Sequence, residues 1–537
     1  MTLTNLPLDS LAEVRALSNT HRHGLYVGPG HWSAPETAML VVGPPRSGKT
    51  SSLVIPNIVS ANGPVVSTST KSDVMAITAT ARSVVGRCRL FDPGGKTTPA
   101  PGVETMAWSP VDGCDRWDRA LAMARAMVGA ARPAVGLSDA EHWKERAQAI
   151  MAALLHAAAL DSWSMIDLVG WVNRRQAETA QAVLVAHRHQ HGAQLAHDLL
   201  TGIVSGEPRE LSGIWSTASG VLAAYRFESV LAATLTDGGY RDTRDRGVGG
   251  NKASGRGVRS SFCADEFVRS GGTIYICADA QTQAVTAPLV AGLLEQVRHA
   301  AYLRWAEEVG PAGGGGSRAR ANPAPVLLAL DEVANIAPLA DLPAMVSEGG
   351  SQGLSTLACL QDLSQARVRW GQAADGFFSL FGAKVVLPGV GDVRTLEALS
   401  RLVGDENVTI RSRSLSSGPR WPGRLATRLM GQYPERPRDS VTYSSRRQPR
   451  LPPDVVARGR PGSALVLEGP GLASWVTLSP WYGHEPWLSL AGPESNQRGR
   501  DRTPHHGHDR DSGIPAARGI SGTATGPASP PDRGLGL

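Results

Sequence analysis

Gly43-Pro44-Pro45-Arg46-Ser47-Gly48-Lys49-Thr50-Ser51 follows the apolar run Ala38–Val42 (AMLVV) and leads into a helical stretch that starts at Thr50. A buried strand, a glycine-bounded loop and a helix start, in that order, form a cradle for a phosphate chain. The loop's N–H groups turn inward, and the helix N-terminus adds the positive end of its dipole. Gly43 and Gly48 free the backbone to curl around a β-phosphate, Lys49 reaches the β/γ oxygens, and the Thr50 hydroxyl suits Mg²⁺. Lysine is scarce here, six against 48 arginines, so composition does not supply one at the single position this loop requires. Residues 43–51 are therefore the candidate ATP-binding segment, with Lys49 also a candidate catalytic residue.

Working outward, short β-branched runs alternate with helical stretches, the rhythm of a mostly parallel sheet covered on both faces. The fold class is α/β. The predicted strands are Ala38–Val42, Pro64–Thr68, Arg87–Asp92, Gly272–Ala278, Pro325–Asp331, Ser355–Leu360, Ala383–Leu387 and Ser463–Leu467. Between Trp117 and Ala233 the strand signal stops and helical stretches succeed one another, including His142–Leu160 and the region Gln176–Leu200. This reads as a helical insertion over 116–234, dividing an α/β core into 34–115 and 235–485 behind an N-terminal segment 1–33. Gly310–Ala324, with four consecutive glycines, reads as a flexible connection. The stretch 486–537, rich in Gly, Pro, Arg, His and Asp, reads as a disordered tail.

A second acidic site separates a hydrolase from the other owners of such a loop. Val326-Leu-Leu-Ala-Leu-Asp331-Glu332 is a buried strand ending in two carboxylates. Asp331 suits the Mg²⁺ shell and Glu332 suits the general base that polarises an attacking water. Lys49 and Asp331 lie 282 positions apart, so the helical insertion falls between the halves of one site. Farther on, Ser355-Thr-Leu-Ala-Cys-Leu-Gln361 ends another strand in a polar residue. In a parallel sheet that end faces the ligand crevice, so Gln361 is a candidate to sense a γ-phosphate or position the water.

Composition narrows the setting. The five cysteines are widely spaced, with no CxxC pair, which argues against a zinc site or a disulfide framework and fits a reducing compartment. The segment has no apolar run long enough for a membrane span and no signal peptide, so a cytoplasmic or peripheral protein is expected. The net charge of +6 is uneven: residues 411–450 carry ten arginines against Glu435 and Asp439, and 241–259 carry six basic residues against two acidic. Both segments read as mobile basic loops suited to phosphate backbones, with Arg411, Arg413, Arg420, Arg424 and Arg428 as candidate DNA contacts.

With these elements in order, the chain resembles the TraG/TraD-type coupling proteins of conjugation and type IV secretion, within the wider group of ring-forming DNA translocases. The likeness spans roughly 35–485. It rests on GPPRSGKT followed by Val54-Ile55-Pro56-Asn57, on FDPGG at Phe91–Gly95, and on His142-Trp143 heading a long helix. It rests also on LDEVANIAPL, SEGGSQGLSTLACLQDLSQ and LEALSRLVGD. The resemblance implies a membrane-associated hexameric ATPase with a RecA-like motor and an all-helical substrate-receiving domain. Its partners would be DNA, a relaxase and a secretion channel. It also implies an arginine finger from a neighbouring subunit, for which Arg401 and Arg394 are the candidates and Lys384 a weaker one.

Three departures stand out. Relatives usually carry N-terminal transmembrane helices, so either the start is truncated or a separate membrane partner anchors the protein. Ser69 stands where many relatives have an acid, and Gly350-Ser351 occupy a loop that often bears arginine. The alternatives to a coupling protein are a chromosome-pumping translocase of the same superfamily and a nucleotide-binding, non-hydrolysing recruitment adaptor.

Overall fold

The computed structural model describes residues 8–131, 140–235, 260–309, 323–415, 439–469 and 472–491. Its strands are β1 (Tyr26–Gly28), β2 (His31–Trp32), β3 (Met39–Val42), β4 (Val65–Ser69), β5 (Cys88–Phe91), β6 (Val103–Ala107), β7 (Ser260–Ser261) and β8 (Thr273–Cys277). They continue with β9 (Val326–Leu330), β10 (Leu354–Leu360), β11 (Ala383–Val386), β12 (Asp405–Leu415), β13 (Asp439–Pro449), β14 (Ser463–Glu468) and β15 (Leu472–Thr477). All eight predicted strands form. Eleven strands make one sheet in the order β15-β14-β11-β3-β10-β9-β4-β8-β5-β6-β7. Every pairing from β11 to β7 is parallel, and β14 and β15 close one side antiparallel.

The apolar runs explain the two-sided burial. Side chains alternate along each strand, so successive residues enter different cores. Leu40, Val42, Leu328, Leu330, Ala358 and Leu360 join one apolar cluster, whereas Met39, Val41, Leu327, Ala329, Leu357 and Cys359 join a second on the opposite face. The first cluster is continuous with the helical segment. Ile150, Leu154, Met123 and Met127 from the helices Ala140–Leu160 and Trp117–Ala130 share it with Leu289 and Leu293 of the helix Gln283–Val309. From Trp108 to Leu235 the described residues contain helices and no strand. The second cluster holds Leu11 and Val14 from the N-terminal helix together with Trp487 and Leu490. Ordered packing thus reaches past 486, the boundary predicted for a disordered tail.

The basic segment 411–450 is not a loop throughout, as its charge led us to expect. β12 and β13 pair antiparallel over their full length, from Asp405 opposite Pro449 to Leu415 opposite Asp439. The reason is visible in retrospect: Val408, Thr409, Ile410, Val441, Thr442 and Tyr443 supply strand-forming side chains, which the arginine count obscured. Arg420, Arg424, Arg428 and the second basic segment, 241–259, lie outside the described residues.

The helix behind the phosphate loop shows how Pro56 is accommodated. A proline in a helix interior costs about 3 kcal/mol because it removes a donor and crowds the preceding turn. Here Thr50–Val54 forms a wider turn in which the Ile55 N–H donates to Thr50 O, five residues back. Pro56 then sits in the first turn of the α-helix Ile55–Ser60, where a missing N–H is harmless. Asn57, one residue on, is buried and straps β1 to this helix. Its Oδ1 accepts the Tyr26 N–H at 2.8 Å, and its Nδ2 donates to Tyr26 O and Leu53 O, both at 2.9 Å.

Removing that amide strands a buried N–H and two carbonyls. Asn57→Ala is expected to lower the unfolding free energy by about 2–4 kcal/mol. A urea midpoint equal to that of the parent protein would show that Asn57 bears no such load.

Candidate functional site

The strand order brings the predicted residues together. β3, which feeds the phosphate loop, and β9, which feeds Asp331-Glu332, are each hydrogen-bonded to β10, so β10 lies between them. The carboxyl ends of all three face one crevice. Gly43 N–H donates to Leu360 O at 3.1 Å, fixing the loop against the end of β10 just before Gln361.

The loop needs its glycines. A Cβ on Gly43 would sit 2.8 Å from Ser47 Oγ and 2.9 Å from Leu387 Cβ, and Gly48 has φ +99°. Arg46 also adopts a left-handed conformation, φ +64°, at the exposed tip beside Pro45. Lys49 is buried and folds back on its own loop, donating to Gly43 O at 2.5 Å and Pro44 O at 2.9 Å. Ser51 Oγ–H donates to Gly48 O at 3.3 Å. Ser47 Oγ is buried without a hydrogen-bond partner. An ammonium held by carbonyls, beside an unsatisfied hydroxyl at the start of a helical turn, is a donor set suited to a polyphosphate.

Opposite the loop, Thr50 Oγ–H donates to Asp331 Oδ2 at 2.8 Å. Thr68 at the end of β4 donates to Asp331 O at 3.0 Å. Burial raises the Asp331 carboxyl above its ordinary range, and the Thr50 hydrogen bond and the Lys49 charge offset part of that shift. A hydroxyl and a carboxylate in contact, short of positive charge, fit a hard divalent cation such as Mg²⁺.

Glu332 follows with φ +55°, a conformation that costs a non-glycine residue about 1–2 kcal/mol. Its Oε2 accepts a bond from Asn335 Nδ2 at 3.4 Å. Gln361 is half-buried, and its N–H donates to Gln365 Oε1 at 3.2 Å. Asp362 then caps the helix Leu363–Trp370 through the Ser364 and Gln365 N–H groups.

The arginine candidates differ in setting. Arg394 is exposed in the first turn of the helix Val393–Val403. That turn is anchored at the crevice, since the Leu363 N–H donates to Thr395 Oγ1 at 3.2 Å. Arg401 lies two turns farther and pairs with Glu397 at 3.4 Å. Lys384 is buried within β11, where burial lowers its pKa. Ser69 Oγ accepts the Lys71 N–H at 3.2 Å. Gly350 is closed to any side chain, because a Cβ there would lie 2.0 Å from Glu36 O. Arg411 stands exposed on the β12–β13 ribbon, outside the crevice.

Sequence reasoning missed Thr68, Asn335, Gln365 and Thr395. Asn335 and Gln365 carry a retrievable signal, standing three and four residues beyond an acid and an amide that needed orientation. Thr68 and Thr395 reach the site only through the tertiary fold.

Two family descriptions match the chain: "Type IV secretory system Conjugative DNA transfer" over residues 11–247, and "TraM recognition site of TraD and TraG" over residues 325–458. No curated protein matches. Among solved structures, the bacterial conjugative coupling protein TrwBdeltaN70 in its unbound monoclinic form is 16% identical, with a TM-score of 0.59 over 87% of this chain and 91% of that one. The plasmid coupling protein TrwB in complex with the GTP analogue GDPNP is 17% identical, with a TM-score of 0.57 over 86% of this chain and 92% of that one. Its complex with ADP and Mg²⁺ is 17% identical, with a TM-score of 0.55 over 83% and 85%. At this identity the structures establish the shared RecA-like fold. The two family matches, which together span more than two thirds of the sequence, identify the chain as a member of the TraG/TraD-type coupling proteins of conjugation and type IV secretion.

Proposed function

We propose that this protein is an ATPase that drives DNA, free or relaxase-bound, toward a type IV secretion channel. The observation that carries the reading is the contact between Thr50 and Asp331, with Glu332 beside it and the end of β10 between the two strands. That TrwB has been solved with ADP and Mg²⁺ and with the ATP analogue ADPNP supports the same ligands here.

In this reading the loop N–H groups and Lys49 hold the β- and γ-phosphates, Lys49 exchanging its two carbonyl partners for phosphate oxygens. Thr50 and Asp331 hold Mg²⁺, which supplies charge neutralisation for the transferring phosphoryl group. Glu332 accepts a proton from a water that attacks the γ-phosphorus as the bond to the β–γ bridging oxygen breaks. Asn335 fixes the glutamate's orientation, and Gln361 contacts the γ-phosphate or the water. Arg394 suits an arginine finger in a homo-hexamer better than Arg401, which is already paired with Glu397. The helical segment would receive the relaxase-bound substrate at the cytoplasmic mouth, and the channel would dock from the membrane side, with a membrane partner as anchor. No described helix is long and apolar enough to cross a membrane.

Lys49→Ala is expected to abolish steady-state ATP hydrolysis, and Glu332→Gln to cut it by about 10²-fold or more while retaining nucleotide binding. Hydrolysis that persists in Lys49→Ala would refute the motor, and a parent protein with no hydrolysis would leave a recruitment adaptor.

Asp331 gives a test without turnover. Between the ordinary aspartate value near 3.9 and its raised folded value, the native state binds a proton that the unfolded chain does not. The stability of the nucleotide-free protein therefore falls as pH rises through the folded value. Asp331→Asn is expected to melt higher than the parent at pH 7, to lose that advantage at acid pH, and to gain little from Mg-ADP. Thermal scans from pH 4 to 8 read this directly; a variant that melts lower at every pH contradicts it.

A further inference from the structure

The β12–β13 ribbon has two unlike faces. Residues directly opposed in an antiparallel pair share a face, so the register sorts them. One face carries Asn407, Thr409 and Arg411 opposite Arg447, Ser445 and Tyr443. The other carries Val408, Ile410 and Ser412 opposite Arg446, Ser444 and Thr442. All six residues of the first face are exposed, Tyr443 at 66% and Arg447 at 77% of its side chain. Each is a hydrogen-bond donor and none is acidic; the nearest acid, Asp405 at the ribbon's base, pairs with Arg447 at 2.8 Å.

From this arrangement we infer that the Arg411–Tyr443–Arg447 face grips single-stranded DNA, the two arginines on phosphates and the tyrosine ring under an unstacked base. The chemistry selects the form of the strand. An exposed ring opposite a guanidinium-bearing residue stacks on a base face, and a duplex keeps its bases stacked on one another. Arg411, and Arg447 once it exchanges Asp405 for a phosphate, supply the charge that complements a phosphate backbone. The other face, with two aliphatic side chains and one arginine, offers neither ring nor paired charge. The inference rests on the reading that DNA is the transported substrate, and it names the form in which the ribbon meets it.

The test measures binding to the full chain, held with a non-hydrolysable ATP analogue, by fluorescence anisotropy of a labelled oligothymidylate and of a duplex of mixed sequence. Tyr443→Ala is expected to weaken oligothymidylate about tenfold while leaving duplex affinity unchanged, and Tyr443→Trp to restore it. Arg411→Ala with Arg447→Ala should flatten the log-affinity against log-salt slope by about 1.4, from roughly 0.7 per phosphate contact. Arg446→Ala, on the opposite face, should leave the effect of Tyr443→Ala unchanged. Parent-like binding of oligothymidylate by Tyr443→Ala overturns the inference. Equal loss on duplex overturns it in favour of groove insertion, and no binding of either DNA assigns the ribbon to a protein partner. Because binding is read without turnover, absent ATP hydrolysis would sink the motor and leave this result standing. Normal hydrolysis with parent-like binding by Tyr443→Ala would sink the ribbon alone.

Discussion

The 2.8 Å hydrogen bond from Thr50 to Asp331 joins residues 281 positions apart, and the rest of the site depends on it. Two strands can present a hydroxyl and a carboxylate to one point only if their carboxyl ends point the same way, which requires parallel strands and therefore crossover connections. The intervening chain can be long at little thermodynamic cost, because doubling a closed loop adds only about 0.6 kcal/mol of closure entropy. That tolerance lets a run of helices occupy the interval. These helices contribute in return, since Ile150, Leu154 and Met127 complete the apolar layer that covers one face of the sheet.

The site holds several features that cost free energy and that, in the proposed reading, a phosphate chain and a cation would relieve. Asp331 is buried with too little opposing charge, Lys49 satisfies itself on two carbonyls, and Ser47 Oγ has no partner. Glu332 and Arg46 both hold left-handed backbones. Each feature costs free energy in isolation, and together they are sustained by the flanking buried strands, whose side chains are fixed in both apolar clusters. Apart from Lys49, which must release its two carbonyls, a site arranged this way has its donors and acceptors in position beforehand, so little reorganisation remains at the moment of reaction.

Much of this was legible in the sequence, for a physical reason. Strands buried on both faces, such as Val326–Leu330, read as unbroken apolar runs, and the phosphate loop has strict requirements at Gly43, Gly48, Lys49 and Thr50. Half-exposed or short strands carry no such mark. β6, with Glu104 and Thr105 at partly open positions, and the ribbon, where arginine and serine dilute Val, Ile and Thr, were invisible or misread as loops. The order of strands was also illegible. That β10 falls between β3 and β9 is set by packing of distant segments, and only that order carries Gln361 to the crevice. Thr68 and Thr395 were hidden likewise, because they reach Asp331 and the segment after Gln361 only through the tertiary fold.

The same order ties the crevice to the ribbon through one element. The loop after β11 touches the phosphate loop, for a Cβ on Gly389 would meet Pro44 Cγ at 3.1 Å. From there the chain enters the helix Val393–Val403, whose first turn is pinned to the segment after Gln361 by Thr395 and by the Asp392–Arg367 ion pair at 3.3 Å. Its last turn ends at Gly404, φ +81°, and β12 begins at Asp405. Eleven helical residues span about 16 Å, so a tilt at the first turn is delivered to the ribbon's base with no loop to absorb it. In the proposed reading, a shift of Gln361 on gaining or losing a γ-phosphate would act on the anchored end, and the two strands, 11 residues each, extend the arm. A glycine at the helix–strand junction sets the angle there. Bulk at Gly404 would therefore re-aim the ribbon while leaving every residue of the crevice in its place.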